Sequence, residues 1–99
     1  MTETVKLVEI FKVSTQYGRT DRRRLELYQL RDIYINPHHI VYFKENKKLG
    51  LENQASRLVE GMLEDIKFTR VILNTSGASN AQLDIVGSPV QFAEKINGG

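Results

Sequence analysis

The stretch 30–44, LRDIYINPHHIVYFK, constrains the chain more than any other. β-Branched and aromatic residues stand on both sides of a break: Ile33, Tyr34 and Ile35 before it, Ile40, Val41, Tyr42 and Phe43 after it. That composition favours two short strands. Between them Pro37 fixes its own φ and turns Asn36 away from helical geometry. The Asn36 side-chain oxygen is also free to accept a hydrogen bond from the local backbone. The stretch therefore reads as two strands folded about a corner, which is scaffold and not chemistry.

The rest of the chain has to supply partners for those strands. Ninety-nine residues are enough for one domain with a single core. An apolar share of 40% and a charged share of 26% are those of an ordinary soluble protein. There is no cysteine, which excludes disulfides, thiolate metal sites and cysteine nucleophiles. No apolar run reaches the roughly 18 residues that span a bilayer, and the first residues are too mixed in charge for a signal peptide. The expectation is a soluble, cytoplasmic chain with no membrane partner.

In order along the chain, residues 5–13 alternate as a strand with Val5, Leu7, Phe11 and Val13 on one parity and Val8 and Ile10 on the other. Residues 14–24, STQYGRTDRRR, read as a polar loop turning at Gly18, and strand character returns at 25–30. Pairing of these two strands would set the arginines at the tip of a long hairpin. Arg31 and Asp32 read as a turn or bulge, and residues 45–50 as a solvated connection. Leu51, Ala55, Leu58, Val59, Met62 and Ile66 then fall at helical spacing, predicting an amphipathic helix over 51–66 that lies on the sheet. Gly61 weakens that helix by about 1 kcal/mol against alanine and points to a short or irregular one. Residues 68–73 and 82–86 form a hairpin closed by the turn-rich segment 74–80, with Leu83 and Ile85 inward and Gly87 ending the sheet. Ser88, Pro89 and Gln91 start a C-terminal helix as cap, first residue and capping-box partner. Phe92, Ala93 and Ile96 are its buried side, and Asn97-Gly98 its end. The predicted fold is one α+β domain. Its small, bent antiparallel sheet has five or six strands, barrel-like in the limit, with one inserted amphipathic helix and one short C-terminal helix.

Several of these segments, taken in order, resemble the small FlbD-like proteins associated with flagella and similar short proteins of tailed phages. The residues concerned are the Ile35-Asn36-Pro37 corner, Ile40-Val41, Thr69 to Leu73, Ile85-Val86-Gly87-Ser88 and the helix ending Glu94-Lys95-Ile96. They cover 30–44 and 68–96. The arginine-bearing loop and the inserted helix depart from that pattern. The resemblance implies a β-rich fold and a non-catalytic accessory role, with no site residue to carry over.

Candidate chemistry is sparse. His38 and His39 are adjacent, so in extended backbone they point to opposite faces and cannot share a metal. Ser88 is accounted for as a cap, and Ser14, Ser56, Ser76 and Ser79 sit in no nucleophile pattern. Glu60 and Glu64 are one helical turn apart, the spacing of a solvated face, and Gly77 lacks the lysine of a phosphate loop. No enzyme activity, cofactor or metal is expected. The net charge is only +2 but unevenly spread. Arg19, Arg22, Arg23 and Arg24 against Asp21 make a local +3, while Glu52, Glu60, Glu64 and Asp65 against Arg57 make a local −3.

Two readings follow. The first is a non-enzymatic interaction or regulatory module that self-associates or binds a protein. It would do so through its opposite charges or through an edge strand over 5–13. The alternative is nucleic-acid binding, with Arg19, Arg22, Arg23 and Arg24 on phosphates and Tyr17 and Tyr28 stacking on bases.

Overall fold

The computed structural model describes residues 4–17, 24–74 and 80–98, and the side chains of all of these except 14–17 and 24–27. Five antiparallel strands form one sheet: β1 (Val5–Tyr17), β2 (Arg24–Ile35), β3 (Ile40–Glu45), β4 (Phe68–Leu73) and β5 (Ala81–Val86). Two helices accompany them, α1 (Lys47–Ala55) and α2 (Pro89–Asn97). The strand order is β2-β1-β5-β4-β3, so the two strands of the organising stretch lie at opposite edges.

That order forces curvature. Across a flat five-stranded sheet the edges would stand about 19 Å apart, four spacings of about 4.8 Å. Only Asn36 to His39 separate Ile35 from Ile40, five steps that span at most about 18 Å when fully extended. Pro37–His39 is a 3₁₀ turn, which rises only about 2 Å per residue and shortens the link further. The sheet must curl to bring its edges towards the corner. One face holds Leu7, Ile35, Val71, Ile85 and Phe92, with Phe43 and Leu83 packed against them, so every strand contributes. Phe92 of α2 closes this core edge-to-face on Phe43, ring centres 4.7 Å apart. The curl stops short of a barrel, because β2 and β3 do not pair.

The corner is built as its residues dictate. Asn36 Oδ1 accepts from the His38 N–H at 3.0 Å, and the Asn74 N–H donates to the His39 carbonyl at 2.7 Å, fastening the corner to the end of β4. A second cluster, Ile10, Leu49, Met62 and Phe68, fills the opposite face beneath α1 and the segment that follows it.

Three expectations about element boundaries are corrected. Strand β1 continues through 14–17 where a loop was expected, its register with β2 absorbing a shift between Lys12 and Ser14. Strand β2 runs unbroken through Arg31 and Asp32, because both charges find partners on β1. The inserted helix is α1 at 47–55 and not 51–66. Asn46 caps it by accepting from the Leu49 N–H at 3.2 Å, and Leu49 is buried while Leu51 is exposed. Beyond Ser56 the backbone leaves the helix, yet Leu58, Val59, Met62 and Ile66 still pack on the second cluster. At the other end, Ser88 and Gln91 form the reciprocal capping box and Gly87 turns at φ +125°, as the sequence predicts.

Candidate interaction surface

Strand β2 is twelve residues long and, among the described residues, bonded on one side only. Its N–H and C=O groups facing away from β1 therefore form an open ladder, the usual template for strand addition. Two charged side chains beside this edge, Arg31 and Asp32, are held away from it. Arg31 reaches back across β1, donating from Nε to Glu9 Oε1 at 2.6 Å, with its guanidinium 4.3 Å over the Phe11 ring. Glu9 is nearly enclosed, 6% exposed at its side chain against 56% for Arg31, so the pair is anchored from the β1 side. Asp32 is drawn the same way by Lys6 Nζ at 3.6 Å. On the face that Asp32 shares, Leu30 and Tyr34 flank it, 42% and 65% exposed.

The opposite edge is different. Strand β3 has six residues, a register irregularity between Ile40 and Tyr42, and the exposed Lys44. Bulges and lysines are devices that discourage pairing. The edge expected at 5–13 is an interior strand, bonded to β2 along its length and to β5 at Glu9 and Ile10. Past Ile10 the β1–β2 pair continues, with no third strand among the described residues, as far as Tyr17 opposite Arg24.

The residues nominated from sequence fall around that hairpin. Arg19, Arg22 and Arg23 lie outside the described residues. Arg24 opens β2 and Tyr17 closes β1, so the basic segment begins where pairing ends. Tyr28 is half-buried against the Ile10, Leu49, Met62 and Phe68 cluster, leaving only part of its ring to stack on anything. The acidic region is surface: Glu60, Glu64 and Asp65 are exposed, with Arg57 3.9 Å from Glu64. His38 and His39 are both exposed on the corner. Sequence reasoning missed Leu30, Arg31 and Asp32 as a group. The signal was available in the absence of lysine, glycine and proline from 24–35.

Hollows also lie elsewhere. A groove of about 830 Å³ runs between α2 and the sheet, floored by Leu7, Ile85 and Phe92 and rimmed by Asp65, Lys67, Glu94 and Lys95. A smaller one of about 300 Å³ lies by Lys12, Tyr28 and Asp84. There Asp84 Oδ1 accepts from Asn46 Nδ2 at 2.9 Å and from Arg70 Nε at 3.4 Å, a knot that joins the α1 cap to the sheet. Among the described residues no helix is long and apolar enough to cross a membrane, and no three His, Cys, Asp or Glu side chains are grouped to hold a metal ion. Comparison of the chain with protein-family models, curated proteins and solved structures finds no match.

Proposed function

We propose that this chain is a non-enzymatic interaction module that associates with a second copy of itself. The observation that carries the reading is the outer edge of β2, which no described strand pairs, with Arg31 and Asp32 held back over β1. Three polar groups of the smaller hollow agree with a non-enzymatic reading, because Asn46 and Arg70 both donate to Asp84 as parts of the scaffold. An accessory role agrees with the resemblance to FlbD-like proteins.

The test is the molar mass in solution by light scattering, from low micromolar to near-millimolar protein. A rise from one chain towards two supports the reading; a single-chain mass throughout overturns it.

Nucleic acid is the second reading, favoured by the position of Arg24 and the basic segment at the end of the hairpin. Its test is fluorescence anisotropy with labelled single-stranded and duplex oligonucleotides at about 50 and 200 mM salt, since each phosphate contact releases counterions. Binding that weakens with salt and disappears when Arg22, Arg23 and Arg24 become alanine would put this reading first. With a net charge of +2 we expect no such binding.

A further inference from the structure

We propose that two copies join through their β2 strands, running antiparallel about a twofold axis at Leu30, so that two five-stranded sheets become one of ten. This rests on the self-association reading above and names its surface, partner and register. A twofold interface sets the same residues of both copies against each other, and in an antiparallel pair opposed residues share a face. The possible registers can therefore be compared by what each opposes.

With the axis at Leu30, the two leucines meet. Gln29 stands opposite Arg31 and Tyr28 opposite Asp32, so neither charge is set against its like. Farther out, Ile33 and Ile35 come opposite positions 27 and 25, both leucines in the sequence. No like charges oppose. Moving the axis to Arg31 sets two arginines against each other, and moving it to Asp32 sets two aspartates. An axis at Gln29 opposes positions 26 and 32, both acids. Directly opposed like charges destabilise a strand pair, while opposed apolar and complementary pairs stabilise it.

The Leu30 register also ends cleanly. It sets position 24 of one copy opposite Asn36 of the other, and the next residue, Pro37, has no N–H to extend the ladder. Regularity favours β2 again, because the β1–β2 shift puts the extra residue on β1, at Val13, and leaves β2 straight.

The absence of cysteine makes a direct test available. Opposed Cα atoms in an antiparallel pair are about 4.5–5.5 Å apart, within the range a disulfide bridges. In this register the two copies of residue 32 are offset by four positions, roughly 13 Å along the strand, and are beyond reach. Three variants are compared with the unmodified chain under mild oxidation and by light scattering: L30C, D32C and L30K. We expect L30C to yield a covalent dimer and D32C to yield none. L30K sets two lysines together on the axis and should halve the mass at concentrations where the unmodified chain is dimeric. Circular dichroism checks that L30K keeps its fold, as an exposed position should allow. If the unmodified chain is dimeric but L30C fails to cross-link, or D32C cross-links equally, or L30K stays dimeric, the β2 pairing is wrong while self-association stands. If the unmodified chain is monomeric throughout, both fall.

Discussion

Asn53 is fully buried, and backbone groups of the segment after α1 depend on its amide. Its Nδ2 donates to the Leu63 carbonyl at 2.7 Å and, more weakly, to that of Glu64 at 3.5 Å, while its Oδ1 accepts from the Leu58 N–H at 3.1 Å. One side chain thus replaces the helical bonds that would have formed had the helix continued. Removing it strands two well-bonded backbone groups, each costing about 1–3 kcal/mol when left unsatisfied. Asn53→Ala should therefore lower stability by about 2–4 kcal/mol in urea unfolding. Asn53→Asp should be no milder, since it turns an acceptor towards the Leu63 carbonyl. Nothing in the sequence sets Asn53 apart, because an amide carries no mark of whether its partner is water or backbone. A comparable asymmetry governs Glu9 and Arg31. Truncating Arg31 leaves an almost enclosed carboxylate without its donor, whereas Glu9→Gln keeps a hydrogen-bonding group in place. Arg31→Ala is expected to cost about 1–3 kcal/mol, less than the loss at a wholly buried pair because half of the arginine is in water. Glu9→Gln should cost less, and the same unfolding series compares the two.

Elements were legible where local chemistry decides them and illegible where contacts do. The β4–β5 hairpin and α2 follow from alternation and from a capping box, each contained within a few residues. Their predicted consequences are local as well. Ser88→Ala removes the acceptor that holds the Gln91 N–H at 3.2 Å and should cost about 1 kcal/mol, lowering the melting temperature by about 4–8 °C for a domain of this size. Gly87→Ala is the harsher change. It forces a side chain into φ +125° and sets its Cβ 3.3 Å from Gln91 Oε1. Helix α1 shows the other case. Six apolar residues at helical spacing over 51–66 pack or face solvent according to the sheet beneath them. Leu49 is the residue that reaches the core, while Leu51 and Leu63 stay exposed. Gly61, at φ +85°, sits where the chain has already left the helix. Spacing located the apolar residues without revealing that a turn-rich segment, and not a helix, delivers most of them.

At the scale of the whole molecule, the pairs of strands that adjoin in sequence were readable, but the sheet's edges were not. Whether a strand is interior or exposed depends on which distant strand takes its second ladder, and alternation is the same in both cases. Hence residues 5–13 read as an edge, whereas β1 lies between β2 and β5, bonded to β5 at Glu9 and Ile10, and β2 is the outermost described strand. The basic and acidic runs were plain from the sequence and offer a rival way for two copies to meet, +3 against −3. Salt separates the two modes. Attraction between exposed charges is screened over about 10 Å at 0.1 M salt and about 3 Å at 1 M, so a charge-docked pair should dissociate as salt rises. Pairing of β2 edges relies on backbone hydrogen bonds and on Leu30 meeting Leu30, and burial of apolar surface is not weakened by screening. We therefore expect the dimer constant, measured by sedimentation equilibrium, to change little between about 0.1 and 1 M sodium chloride. Changing Arg22, Arg23 and Arg24 to alanine should likewise leave it nearly unaltered, since the first two precede β2 and Arg24 opens it, far from the axis. A dimer that falls apart at high salt, or in that triple variant, would instead place the contact between the basic segment of one copy and Glu60, Glu64 and Asp65 of the other.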